Sequence, residues 1–193
     1  MKIILISGKM CHGKDTFAKE VKSQLVKQGN RVNIIHYGDY LKYCLQTYYH
    51  WNGEKDAYGR SLLQHFGTEE VRANDPNFWV DTVARLLKAT QNDWDYILIP
   101  DVRMPNEIER IYDFFNYNDI ITVRVERYNR DETLYESPDF TKEQHSHYSE
   151  IALDDYAFQY IIENHHLYVM YDAAKIFIEE IQKKEEVEND KLV

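Results

Sequence analysis

The sequence predicts an α/β domain with a five-stranded, mostly parallel sheet and helices on both faces. Three observations carry this expectation. Short apolar runs that read as strands alternate along the chain with segments of helical periodicity. The first of those runs is apolar throughout, as expected of a strand buried on both faces. The chain has 193 residues, no internal repeat and no low-complexity linker, so a single domain over residues 1–193 with its own core is expected.

The elements follow in order. "KIILIS" is the first strand, and "TFAKEVKSQLVKQG" a helix with Phe17, Val21, Leu25 and Val26 on one face and Gly29 as its stop. "RVNIIHY" reads as a second strand, "YLKYCLQTYYHW" as a helix and "NGEKDAYG" as a loop. "RSLLQHFGTEEVR" reads as a helix broken near Gly67. "NDPNFWVDTVARLLKATQ" starts as a helix should, with Asp75 as cap, Pro76 in the first turn and a stripe of Trp79, Val83, Leu86 and Leu87. "DYILIPD" is the third strand, "NEIERIYDFF" a helix and "DIITVRVER" the fourth strand. "YNRDETLYESPDFTKEQHSHYSE" is polar, irregular and longer than a connection without a job, so a lid is expected there. "FQYIIEN" is the fifth strand, "LYVMYDAAKIFIEEIQKK" the last helix, and "KKEEVENDKLV" a solvated, fraying end.

Composition narrows the function classes. Hydrophobic residues make up 44% and aromatics 14%, a folded rather than disordered balance. A net charge of −10 is a poor match for a nucleic-acid polymer or an anionic membrane surface, though a local basic cleft can still hold a small anion. The two cysteines, Cys11 and Cys44, argue against a disulfide framework and for a reducing, cytoplasmic setting. The apolar run Ile3 to Ile6 is too short for a signal core or a membrane span.

The chemistry starts at "ISGKMCHGKDTFAKEV". Gly8 and Gly13 have the spacing of a phosphate-cradling loop, Lys14 follows at once, and the stretch lies between a strand and a helix, the context such a motif requires. The glycines let backbone N–H groups converge on phosphate oxygens at a helix N-terminus, and Lys14 would bridge the outer phosphates. Asp15 stands where a Ser or Thr usually meets the metal, and Thr16 supplies a hydroxyl one position late. In "ILIPDVRMPNE", Asp101 closes a buried strand, the place for a second Mg²⁺-organising carboxylate, with Arg103, Asn106 and Glu107 close behind. Arg60, Gln64, Arg72, Asn74 and Trp79 scatter along the middle helices, where an arginine pair could grip a monophosphate and an aromatic ring could pack a base; Trp79 could equally be core. Arg124, Arg127 and Arg130 lie at a strand end and in the long loop; strand alternation makes Arg124 the structural one. The two histidines of "HSHYSE" lack further ligands at metal spacing.

The blocks "SGKMCHGKDT", "RSLLQHFGTEEVRANDPNFWVD", "ILIPDVRMPNEIE" and "HYSEIALDD" resemble, in order and over about residues 3 to 166, the deoxynucleoside monophosphate kinases of tailed phages and related bacterial proteins. That resemblance implies a P-loop kinase fold with a monophosphate-binding region at about 40–90 and a lid at about 127–150. It implies transfer of the γ-phosphoryl of ATP, with Mg²⁺, to a deoxynucleoside 5′-monophosphate. ATP would be held by Gly8, Lys9, His12, Gly13, Lys14, Asp15 and Thr16, and Mg²⁺ by Asp15, Thr16 and Asp101, directly or through water. Lys14, Asp15, Asp101, Arg127 and Arg130 would carry the catalytic roles. The acceptor would be held by Asp39, Arg60, Gln64, Arg72, Trp79, Arg103, Glu107, His147 and Glu150, with Ser149 in the same closing motif.

"HYGDYLKY" departs from the small-residue turn more usual before the monophosphate helix, which puts the base preference in question. The partners implied are small molecules, with no polymer and no membrane, and the exposed helix faces leave a homodimer open. Two other readings remain: a phosphomevalonate-type or other small-molecule kinase sharing the Gly-Lys-Asp loop, and a non-catalytic ATP-binding sensor.

Overall fold

The computed structural model describes residues 1–54, 56–165 and 169–190. Its strands β1 (Lys2–Ser7), β2 (Val32–Ile34), β3 (Tyr96–Val102), β4 (Ile120–Arg127) and β5 (Tyr160–Asn164) form one sheet in the order β2-β3-β1-β4-β5. Every pairing is parallel, so the sheet exceeds the expectation of a mostly parallel one. Around it lie α1 (Lys14–Lys27), α2 (Gly38–Tyr48), α3 (Ala57–Gln64), α4 (Phe78–Ala89), α5 (Pro105–Tyr112), α6 (Lys142–His145), α7 (Tyr148–Ile151) and α8 (Val169–Asp190).

Strand β1 is the middle of the sheet, and its run Ile3 to Ile6 is completely buried. Its side chains alternate between two apolar clusters. Ile4 and Ile6 meet Phe17, Val21 and Leu25 of α1 with Phe177 and Ile181 of α8. Ile3 and Leu5 meet Val80, Val83 and Leu87 of α4 with Ile108 and Ile111 of α5. Each such side chain contributes about 1.5–3 kcal/mol by leaving water, which is why a strand with no polar face is stable here.

Several sequence expectations change. Strand β2 stops at Ile34, because the chain must turn at once so that the N–H groups of Tyr37 and Gly38 reach the Asp101 carboxylate at 2.9 and 3.1 Å. Helix α2 therefore starts at Gly38 rather than Tyr40, and α3 starts at Ala57, inside the expected loop, where the Asp56 carboxylate caps the Gly59 N–H. The helix does not break at Gly67: α3 widens into a π-helical turn over His65–Arg72, and Gly67 is there because a Cβ would fall 2.6 Å from Leu41 Cδ2. Helix α4 begins at Phe78 after an Asn77 cap, and Asp75 accepts the Asn77 N–H instead. Val26 and Leu86 face solvent, at the edges of otherwise buried stripes. The final helix continues through Asp190 in place of the frayed end expected from Lys183; Leu167, Tyr168 and the last residues from Lys191 lie outside the described residues.

Candidate functional site

A parallel sheet sends all its strand C-termini to one edge, and the loops that follow β1, β3 and β4 meet there. The loop after β1 is pinned by close packing. Gly8 has φ +146°, and a Cβ on it would lie 2.3 Å from the Val125 carbonyl oxygen, so no other residue fits. Gly13, at φ +101°, opens α1 against Asn164 and Met170. Asn164 Nδ2 donates to the His12 carbonyl at 3.0 Å and fixes the loop from β5.

Lys14 is buried, and its ammonium folds back onto the carbonyl oxygens of Gly8 and Lys9 at 2.6 and 2.7 Å. Burial, with the nearby Arg103 charge adding to it, pushes its pKa down to about 7. A phosphate group in the loop would give this ammonium the anionic partner it lacks. Asp15 and Thr16 are exposed at the start of α1. The imidazole of His36 lies between Asp15 and Asp39, 3.2 Å from each carboxylate. The hydrogen bond to Asp15 raises His36 and holds Asp15 down. Both oxygens of Asp101 accept backbone N–H groups at the start of α2, so the acid at the end of β3 organises the turn after β2.

The loop separates two pockets. On one side Cys11, Gly13, Lys14, Asp15, Thr16, Arg127 and Asn164 line a space of about 340 Å³. On the other, Met10 opens onto a cleft of about 580 Å³ between α2, α3, the π-helical turn and segment 128–150. Arg60, Gln64, Arg72, Trp79, Arg103, His147 and Glu150 all line this cleft. Leu41, Leu63, Met104 and Phe140 give it an apolar half, with Arg60 stacked 5.8 Å from the Phe140 ring. Trp79 is largely core: its indole N–H donates to the Gly67 carbonyl at 3.0 Å and only its edge reaches the cleft.

Several of the side chains singled out by the sequence are engaged by partners within the protein. Glu107 is buried under the cleft, where Oε1 accepts Arg72 Nη2 at 2.6 Å and Oε2 accepts the N–H groups of Arg103 and Met104. Burial raises its pKa, with Arg72 opposing. Glu150 accepts the Met10 N–H at 2.9 Å through Oε2 and pairs through Oε1 with Arg103 Nη1. Both carboxylates hold arginines; Glu150 also lines the cleft, and Glu107 does not. The His12 ring is buried: Nδ1 accepts the Arg127 N–H at 3.2 Å and Nε2 donates to the Tyr135 carbonyl at 2.9 Å, so it ties the loop to segment 128–150. Burial holds it below its usual pKa, hence neutral.

Asp39, on α2, pairs with Lys42 of the same helix and with His36 before it, and does not line the cleft. Lys9 pairs with Asp154 at 3.0 Å. Arg124 is structural as expected, bonded to Asp154 and to the Leu153 carbonyl. Arg127 donates to the Cys11 carbonyl and covers the Tyr135 ring at 3.9 Å, whereas Arg130 is exposed after β4 and lines neither pocket. His147 bonds Ser149 Oγ at 2.8 Å and caps α7.

Among known proteins, a phosphomevalonate kinase of Drosophila melanogaster is 29% identical over 133 residues, 65% of this chain and 67% of that protein. The solved structure of APE1195 matches over 94% of this chain and 95% of its own, with a TM-score of 0.52 and 11% identity. The Mycobacterium tuberculosis APS kinase CysC, solved with AMPPNP and APS, covers 94% of this chain and 97% of its own at a TM-score of 0.49 and 10% identity. No protein-family model matches the chain. The all-parallel sheet and the glycine-lysine loop after its central strand make this an α/β P-loop kinase fold. Among the described residues no helix is long and apolar enough to cross a membrane.

Proposed function

We propose that this protein is an ATP-dependent kinase whose acceptor is a deoxynucleoside 5′-monophosphate, converted to the diphosphate. The observation that carries the reading is the cleft beside Met10. Two arginines, Arg72 and Arg103, line it next to the phosphate loop, and an apolar half made by Leu41, Leu63 and Phe140 is roomy enough for a base and sugar. Gln64 and Thr68, on the same wall, can hydrogen-bond a base edge.

The residues divide the work simply. ATP takes the side of the loop with Cys11, Gly13 and Lys14, and Lys14 exchanges its carbonyl partners for phosphate oxygens. Arg72 and Arg103 hold the acceptor phosphate, which is already ionised, so no strong general base is needed. Mg²⁺ suits the all-oxygen donors Asp15 and Thr16, with Asp101 acting through water because both its oxygens already accept N–H groups. When bound, it would offset charge on the phosphate oxygens. Arg127 stands at the loop for the same purpose; Arg130 reaches it only if segment 128–150 closes as a lid.

A second reading has one observation in its favour: the relative from Drosophila melanogaster is a phosphomevalonate kinase. An ADP-release assay with ATP and Mg²⁺ against dAMP, dGMP, dCMP, dTMP, the ribonucleotides and phosphomevalonate separates them. Turnover confined to deoxynucleotides supports the first reading. Turnover of phosphomevalonate alone replaces it with the second, and silence with ATP binding retained favours a sensor.

A further inference from the structure

We propose that Glu150 is a positioning residue that ties the acceptor side of the site to the donor side, fixing Arg103 and the phosphate loop relative to each other with one carboxylate. The inference rests on the kinase reading given above. Arg103 follows β3, Met10 follows β1, and Glu150 follows β4 by way of segment 128–150. These three chain segments meet at a single side chain in a residue that is only 7% exposed. Oε2 accepts the Met10 N–H at 2.9 Å, and Oε1 pairs with Arg103 Nη1.

Glu107 makes the comparison instructive. It too gives one oxygen to loop N–H groups and the other to a cleft arginine, Arg72. All its partners lie on the acceptor side, however, whereas Glu150 reaches across to the loop that separates the two pockets. A buried anion here works against phosphate binding on both sides. Its geometry compensates: a guanidinium carries five N–H donors in a fixed plane, so Arg103 held through Nη1 keeps the others for a phosphate and loses only its freedom to swing. Where catalysis is mostly alignment, that freedom matters, since a misplacement of about 1 Å costs about 100-fold in rate.

The substitution Glu150→Gln keeps the shape and removes the charge. The expected result is a kcat lower by about 100-fold, with acceptor KM within about 3-fold and ATP bound as tightly as before or more tightly, because a negative charge has left the loop. A residue that merely supported the fold would weaken both ligands and lower the melting temperature together. Arg103→Lys attacks the same tie from its other end and guards against a Glu150 variant that fails to fold. In the double variant the two losses should not add. Undiminished kcat with tighter ATP would overturn the proposal and make the carboxylate a placeholder that phosphate displaces. Additive losses would also overturn it. If the wild-type protein turns over nothing in the acceptor panel, the acceptor reading fails on its own. The same double-mutant cycle run on chemical-denaturation midpoints still decides the tie, with the effects of the two substitutions expected not to add and strict additivity fatal.

Discussion

The ammonium of Lys14 lies 2.6 Å from the carbonyl oxygen of Gly8, so the phosphate loop is closed on its own lysine. With its pKa lowered to about 7 by burial, Lys14 is mostly neutral at pH 8 and gains a proton when an anion arrives. Mg-ATP binding at pH 8 should take up about one proton, falling toward zero at pH 6. Calorimetry in two buffers of different ionisation enthalpy reads this directly. No uptake at pH 8 would sink the assignment.

The same shift has a stability side. The native state binds fewer protons than the unfolded chain between pH about 7 and the ordinary lysine value of 10.5, so stability rises with pH through that window and is lowest below it. Lys14→Met should abolish transfer yet stabilise the protein by about 0.5–2 kcal/mol at pH 6.5, with little gain at pH 10. Thermal unfolding at the two pH values checks both signs.

Arg72 and Glu107 form a pair whose carboxylate is almost completely enclosed. Arg72→Met leaves that charge alone and should cost about 3–5 kcal/mol, besides weakening the acceptor. Glu107 already has a raised pKa, and without Arg72 it rises further, so the native state binds the extra proton. Stability of the variant should therefore increase as pH falls from 7 toward the ordinary glutamate value of 4.5, and Glu107→Gln added to Arg72→Met should remove that dependence. Urea titrations at pH 7 and 5.5 test it.

The neutral, buried ring of His12 has two hydrogen-bond partners, the Arg127 N–H and the Tyr135 carbonyl. His12→Phe strands both and should cost about 2–4 kcal/mol. Because burial lowers the native pKa below 6.5, the unfolded chain binds the extra proton in the window beneath 6.5, and stability is lost as pH falls through it. The difference in stability between wild type and His12→Phe should shrink from pH 7.5 to pH 5.5. A constant difference would mean that the ring is not the neutral donor–acceptor described.

Gly67→Ala places a methyl 2.6 Å from Leu41 Cδ2, and both residues line the proposed acceptor cleft. Leu41, a side chain of the cleft wall, must shift. Acceptor KM should rise by about 10-fold, with a stability cost of about 1–3 kcal/mol, while ATP affinity stays unchanged. A matching loss of ATP affinity would place the effect in the fold rather than in the cleft.

Much of the fold is legible because its signals are local. The Gly8–Gly13–Lys14 spacing lies between a strand and a helix, and the runs that form β1, β3 and β4 are apolar enough to name themselves. The residues that mislead are those whose work depends on distant partners. Glu107 reads as an acceptor-holding carboxylate at a helix start, yet its spacing with Ile108 and Ile111 is that of the buried face of α5, a signal the sequence does carry. Glu150 precedes buried Leu153 by one turn in the same way. Nothing local marks His12, whose partners lie 115 and 123 residues away. Gly67 reads as a helix break because glycine disfavours helices, but close packing against Leu41 overrides that preference.

The central place of β1 sets a condition on synthesis. Its neighbours are β3, from Tyr96, and β4, from Ile120, and the sheet's first partner for Ile3 is Ile97. A chain leaving the ribosome therefore carries its most apolar strand unpaired until about half of its length has emerged. Chains stalled before Tyr96 should stay protease-sensitive and need a chaperone, and protection should appear only once β4 has cleared the exit tunnel.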